Sequence, residues 1–189
     1  MLKQCFIFLF FLSVLTVPGF SQNSNSNINF QQVDEFARTV RYNGDLQELT
    51  NTLTTPYADS MYKLRAIFIW IADNIEYDYK LFNSGSNEWN RFECYGSRET
   101  CAQARLDWNN KHLEHVLNKK KTVCNGYTKL FKRMCNMAGI QNEMVDGYVK
   151  KTPFQIGLVL NVSHTWNVVS LGGVKYYFDV TWAAGSCKT

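Results

Sequence analysis

The spacing of apolar residues changes from a helical period to a period of two near residue 140, and this change limits the possible folds. Before it, five segments have the spacing typical of amphipathic or buried helices: 33–40, 46–55, 61–75, part of 100–117, and 124–138. After it, four segments are typical of strands: 144–149, 157–162, 164–171 and 174–182. Helices followed by antiparallel strands predict an α+β fold.

The last two strand segments are separated by Gly172–Gly173, a strong signal for a two-residue hairpin loop. In that register Leu171 pairs with Val174, and His164 lies opposite Thr181. Asp179 is then the diagonal neighbour of His164 on the same face of the sheet. A carboxylate there can accept a hydrogen bond from one imidazole nitrogen and fix the tautomer. A slip of one residue would put the two side chains on opposite faces.

A single cysteine, Cys124, follows the basic run Lys119–Lys121 and opens the last predicted helix. The helical spacing of apolar residues begins directly after Cys124, and Gly139 ends the helix. Cys124 therefore lies at or just before the helix N-terminus. Unpaired N–H groups and the helix dipole favour an anion at this position, and a thiolate is an anion. Gly126 leaves room for a substrate chain to approach the backbone. The same pattern also fits a buried core cysteine that starts a helix.

A helix-starting cysteine combined with a histidine and an aspartate on one sheet face has the parts needed for nucleophilic catalysis by a thiol. In this interpretation Cys124 is the nucleophile, His164 the general base, and Asp179 the group that orients His164. The structural alternative is a half-buried histidine with a hydrogen-bonded aspartate in an ordinary hairpin.

Three blocks of the sequence resemble those of the transglutaminase-like superfamily, and in particular the branch that includes kyphoscoliosis peptidase. They are Val123–Tyr127, His164–Val169 and Tyr177–Trp182. The upstream segment Lys63–Trp70, followed by Asn74–Asp78, resembles the helix that precedes the core in that family. The resemblance covers about residues 33–182, nearly all of the predicted mature chain.

The resemblance implies a papain-like, transglutaminase-like α+β core in which the nucleophile helix packs on an antiparallel sheet. It implies acyl transfer through a thioester, without a cofactor, on a protein or peptide substrate. Cys124 would attack a carboxamide or peptide carbonyl, His164 would take and return the proton, and Asp179 would orient His164. The backbone N–H of Cys124 would bind the oxyanion.

Hydrolysis of peptide or amide bonds is the first expectation for the reaction. A protein-glutamine transamidase has the same triad and differs only in the acceptor, which is an amine instead of water. A binding module that kept the fold and lost turnover is the third. Trp166 and Trp182 flank the site, where they either line a substrate groove or pack in the core.

The sequence departs from the family at two points. The family commonly continues beyond its aspartate block with further strands, whereas this sequence stops at Thr189. We therefore expect either a sheet without its edge or a truncated copy of the domain. Thr128 stands where the family often has alanine, a difference that we expect to be harmless.

The first 21 residues are typical of a signal peptide, with Lys3 before the apolar run Cys5–Val17 and small residues before a cleavage point after Ser21. That run has 13 residues, fewer than the ~20 that span a bilayer. An uncleaved N-terminal anchor is the alternative. We expect a secreted or periplasmic protein with no integral membrane segment after cleavage. Residues 22–32 should form a disordered polar segment, and residues 33–189 should form one domain.

Cleavage would lower the net charge from +4 to +3, which is too small to indicate nucleic-acid binding. Five of the six cysteines would remain, and an oxidising compartment would permit a local disulfide between Cys94 and Cys101. A zinc site formed by those two cysteines with His112 and His115 is disfavoured by the wide C-x6-C spacing, so no metal is expected. Lys119–Lys121 is either a solvated run or a charge that attracts an anionic substrate.

Overall fold

The computed structural model describes residues 29–85, 89 and 91–185. The predicted signal peptide, residues 22–28 and Cys187 lie outside these ranges. The helices are α1 Phe30–Thr39, α2 Leu46–Thr54, α3 Ser60–Asn74, α4 Tyr79–Ser84, α5 Arg98–Lys119, α6 Cys124–Met137 and α7 Val180–Ala183. The strands are β1 Glu76–Tyr77, β2 Lys121–Thr122, β3 Asn142–Gly147, β4 His164–Leu171 and β5 Val174–Phe178. Helices precede an antiparallel sheet, so the predicted α+β class is confirmed.

Side-chain caps fix the starts of the first three helices. Asp45 accepts hydrogen bonds from the backbone N–H groups of Gln47 and Glu48, and Asp59 caps α3 in the same way. Asn29 caps α1, which therefore begins at Phe30. Residues 30–32, which the sequence placed in a disordered segment, are helical.

The core is centred on α3, which is buried on most sides, as its nearly continuous apolar sequence predicted. Trp70 is almost completely buried, and its indole N–H donates to the carbonyl of Val40 at 3.2 Å. Helices α1, α2 and α6 pack against α3, and α6 also packs against β3 and β4. Helix α6 therefore lies between the helical layer and the sheet.

The three-stranded sheet has the order β3-β4-β5, and Leu171 pairs with Val174 as predicted. The ladder ends where Asn167 pairs with Phe178, so the expectation that β5 continues to Trp182 is wrong. Asp179 instead caps α7 and accepts a hydrogen bond from the Trp182 N–H at 3.2 Å. The preference of aspartate for helix N-caps overrides the strand-like alternation here.

The predicted strand over 157–162 is also wrong. β3 pairs directly with β4, and residues 148–163 form the loop between them, with one 3-10 turn at Pro153–Gln155. The apolar side chains of this loop point into solvent: Ile156 is 72% exposed and Val159 is 88% exposed. Despite its apolar alternation, this segment pairs with no other described strand and therefore forms no ladder.

The predicted long loop over 82–100 is shorter at both ends, because α4 continues to Ser84 and α5 begins at Arg98. Cys94 and Cys101 form the disulfide that the sequence left open, with their Cα atoms 5.7 Å apart. Within the described ranges, no group of three or more histidine, cysteine or acidic side chains is arranged to hold a metal ion. No helix in those ranges has both the length and the hydropathy of a membrane span.

Candidate active site

Cys124 is the first residue of α6, as the sequence predicted, and the structure shows that it is partly exposed. Two hydrogen bonds fix the start of this helix to the end of α3. The Tyr127 hydroxyl donates to the carbonyl of Ile75 at 2.9 Å, and the Asp78 N–H donates to the carbonyl of Thr122 at 2.9 Å. The second bond belongs to the parallel pairing of β1 with β2, and both bonds tie the start of α6 to the segment that follows α3.

Gly126 serves packing in this structure and does not line the cleft that contains Cys124. It is buried, and a Cβ at this position would overlap the side chain of Thr122. The interpretation that Gly126 admits a substrate chain is therefore replaced by one in which it lets α6 approach β2 closely.

His164 is the first residue of β4, and its side chain is 8% exposed. Its Nε2 atom lies 2.7 Å from Oδ2 of Asp179. A carboxylate accepts, so Nε2 carries the proton, and Nδ1 is the nitrogen left to interact with Cys124, which lines the same cleft. The structure thus brings together the three residues that the sequence singled out.

The environment of His164 stabilises its charged form. The hydrogen bond to Asp179, followed by the interaction with Cys124, raises the pKa of His164 to about 9, although burial acts in the opposite direction. The ring is therefore an imidazolium at neutral pH. An imidazolium in the cleft that contains Cys124 can serve as a general acid.

Two buried polar residues position this arrangement, and the sequence analysis missed their roles. The Asn167 side chain donates to the carbonyl of Thr128 at 3.2 Å and to Oδ1 of Asn142 at 3.1 Å, which ties β4 to α6 and β3. The Thr128 hydroxyl donates to the carbonyl of Cys124 at 3.0 Å. The side chain that we expected to be harmless at position 128 thus contacts the backbone of Cys124.

Cys124 and His164 line a cleft of about 530 Å³ between the β3–β4 loop and the start of α4. Trp182 is 65% exposed and forms part of its wall, whereas Trp166 packs against Gly147 and does not line it. The cleft is lined by Tyr77, Tyr79, Phe82, Cys124, Val149, Lys151, Ser163, His164, Thr181, Trp182 and Gly185.

Tyr77 is a further residue of this cleft that the sequence did not indicate. Burial, and next the nearby charge of Cys124, raise the pKa of Tyr77 to about 12. Its hydroxyl therefore keeps its proton and can donate a hydrogen bond within the cleft that contains Cys124. Only the fold brings this tyrosine close to Cys124, 47 positions further along the chain.

Comparison with known proteins identifies the family. The model of the transglutaminase-like superfamily matches residues 46–182, a range that includes Cys124, His164 and Asp179. The chain belongs to the transglutaminase-like superfamily. The predicted resemblance is thereby confirmed, together with the α+β core that it implied.

Two curated relatives in this superfamily are kyphoscoliosis peptidases, one from Mus musculus and one from Homo sapiens. Each is 32% identical to this chain over 162 residues, which make up 85% of this chain and 21% of the relative. A solved structure described as "Crystal structure of a TGase" aligns with 88% of this chain and 37% of its own, at 19% identity and a TM-score of 0.48.

Proposed function

We propose that this protein is an exported thiol enzyme that hydrolyses peptide or amide bonds through a Cys124–His164–Asp179 triad. The observation that carries the proposal is one imidazole, held at 2.7 Å by a carboxylate, in the same cleft as a cysteine at a helix start. This is the arrangement that thiol acyl transfer requires.

The thiolate of Cys124 attacks the carbonyl carbon of a peptide or side-chain amide. The C–S bond forms as the carbonyl π electrons move to oxygen, which gives a tetrahedral oxyanion. The His164 imidazolium then donates its Nδ1 proton to the leaving nitrogen, the C–N bond breaks, and an amine leaves a thioester on Cys124.

Water completes the cycle in the second half of the reaction. Neutral His164 takes a proton from the water while the oxygen attacks the thioester carbon, and the C–S bond breaks to release a carboxylic acid. Asp179 remains a carboxylate throughout and holds the ring in the tautomer that directs Nδ1 toward sulfur. If an amine takes the place of water, the same thioester yields a transamidated product.

Two groups can stabilise the oxyanion. The backbone N–H of Cys124 is in the first turn of α6, where N–H groups have no partner within the helix. The Tyr77 hydroxyl is the second candidate donor, because its side chain lies in the same cleft and interacts electrostatically with Cys124. Together they would supply the two donors typical of an oxyanion hole.

Export is part of the proposal and rests on the signal-peptide pattern of residues 1–21. The Cys94–Cys101 disulfide supports it, because such bonds persist mainly in oxidising compartments. The proposed protein is either secreted or periplasmic. Detection of the mature N-terminus at Gln22 in the exported fraction tests this part.

The test of the reaction compares the wild-type protein with Cys124→Ala. Peptide release from a protein substrate and incorporation of a fluorescent primary amine are measured in parallel. We expect release to exceed incorporation in the wild type, with both lost in Cys124→Ala. The control is Glu143→Gln, an exposed change on the same sheet, which should leave both activities unchanged.

Three results would contradict the proposal. Incorporation that exceeds release would assign the protein to the transamidases. Release that persists in Cys124→Ala would remove Cys124 as the nucleophile. Neither activity in a folded wild-type protein on a broad substrate panel would favour a binding module.

A further inference from the structure

A second cleft, of about 490 Å³, lies on the other side of the N-terminal turn of α6, between that helix, α5 and the sheet. Cys124 and His164 line the active-site cleft, whereas the residues that follow them, Asn125 and Thr165, line the second cleft. The two clefts therefore lie on either side of the same two backbone segments, the start of α6 and the start of β4.

The second cleft is strongly cationic. Arg105, Lys129, Lys132 and Arg133 line it, and Asp146 is its single carboxylate among the described residues. In the described part of the chain none of these four cations forms an ion pair. Burial, and next the charge of Arg105, lower the pKa of Lys129 to about 8, so the cations repel one another. A bound anion would relieve that repulsion.

Aromatic rings and a neutral histidine hold two of the cations in place. Nζ of Lys129 lies 4.1 Å from the Trp108 ring centroid and 3.3 Å from Nδ1 of His112. Burial lowers the pKa of His112 to about 3, so its ring is neutral and accepts from the lysine. The Arg105 guanidinium lies 4.7 Å from the Phe92 ring centroid. These contacts orient the charges and leave their hydrogen-bonding capacity for a ligand.

A buried hydroxyl in the same cleft provides an independent observation. Thr165 is 6% exposed and lines the cleft, and its Oγ1 atom has no hydrogen-bond partner in the described structure. Buried hydroxyl groups are normally paired, and an unpaired one indicates a missing partner. An acceptor oxygen of a ligand would satisfy it.

We propose that this cleft binds an acidic segment of the polypeptide substrate while the neighbouring cleft presents a carbonyl to Cys124. The proposal rests on the proposed function, because it assumes a polypeptide substrate. Glutamate or aspartate side chains would pair with the cations, and the Thr165 hydroxyl would donate to a backbone or carboxylate oxygen. The cations are spread over two helices, Arg105 on α5 and the others on α6, so the geometry favours an extended chain with several charges over a single small anion.

The test measures binding without turnover, on the full chain with Cys124→Ala. A fluorescent peptide with six consecutive glutamates is titrated by anisotropy, and a peptide with glutamines in their place serves as its uncharged match. In this background, Arg105→Gln with Arg133→Gln should weaken binding about fivefold or more. The control pair is Lys111→Gln with Lys119→Gln, which removes the same charge from exposed positions of α5 and should change binding less than about twofold.

A second variant in the same background, Thr165→Val, tests the site without changing the net charge. It should weaken binding of the glutamate peptide about threefold or more, while the denaturation midpoint stays equal or rises because an unpaired buried hydroxyl is removed. Unchanged binding in Thr165→Val, or equal weakening by the control pair, would overturn the proposal. The proposal would also be overturned if inorganic phosphate displaced the glutamate peptide at the concentration at which phosphate alone binds the protein. That result would indicate a site for a small anion.

The outcomes also separate this proposal from the proposed function. An active wild-type enzyme whose Cys124→Ala form does not bind the glutamate peptide refutes the acidic-segment site alone. A protein that binds the peptide through Arg105, Arg133 and Thr165, but releases no product in its wild-type form, refutes the catalytic proposal alone.

Discussion

The substitution Asp179→Asn tests how His164 is charged. Asparagine keeps an oxygen that can accept from the ring or cap α7, but it removes the negative charge. The difference between a pKa of about 9 and the ordinary value of 6.5 corresponds to about 3 kcal/mol in favour of the imidazolium. The hydrogen bond to Asp179 is the largest cause, so we expect the substitution to lower the pKa by at least about one unit, or about 1.4 kcal/mol.

Nuclear magnetic resonance can follow this change directly, because the chain has three histidines: His112, His115 and His164. In the wild type, the ring signals of His164 should shift with a midpoint near pH 9, and those of His112 should stay in the neutral form above pH 5. In Asp179→Asn the His164 midpoint should move toward neutrality. Glu143→Gln, an exposed change on β3, should leave it in place.

The same shift determines how stability depends on pH. The folded-state pKa of His164 is raised, so its contribution is fully present below about pH 6.5 and is lost as the pH rises through about 9. The stability advantage of the wild type over Asp179→Asn should therefore shrink between pH 6 and pH 10. A wild-type midpoint near pH 6.5, or one that Asp179→Asn leaves in place, would refute the charge assignment.

Three further predictions concern the site and its support. Cys124 should react with iodoacetamide at pH 6 at least about tenfold faster than in His164→Ala, because the imidazolium favours the thiolate; equal rates would contradict the ion pair. Asn167→Ala should lower the free energy of unfolding in urea by about 2–3 kcal/mol, because two buried hydrogen bonds are lost; a loss below about 0.5 kcal/mol would contradict its role. Gly126→Ala should lower the free energy of unfolding in urea by about 1–3 kcal/mol, and adding Thr122→Ala should restore part of that stability. If the double variant regains no stability, the overlap with Thr122 is not the cause of the loss.

The sequence predicted the contact between His164 and Asp179, but for a reason that was only partly right. The hairpin loop and the pairing of Leu171 with Val174 followed from two glycines between alternating apolar segments. The extension of that ladder to Asp179 did not hold, because this aspartate starts a helix. The carboxylate reaches the ring from a helix cap, a geometry that strand alternation cannot reveal.

The misses have a common physical cause. The loop over 148–163 has the alternation of a strand, but a strand forms only where a segment pairs with a neighbour, and β3 pairs directly with β4 and leaves this segment outside the ladder. The roles of Tyr77 and Asn167 depend on contacts between segments far apart in the chain. Local spacing has no information about which distant groups will surround a side chain.

The two-residue pairing of β1 with β2 has a consequence for how the proposed activity would be lost on heating. It is the shortest ladder in the described structure, and it fixes the turn from which Cys124 emerges to the end of α3. Short ladders open more readily than the core on which they rest. Heating should therefore displace the sulfur of Cys124 and abolish the proposed activity at temperatures where most of the helical core is still intact.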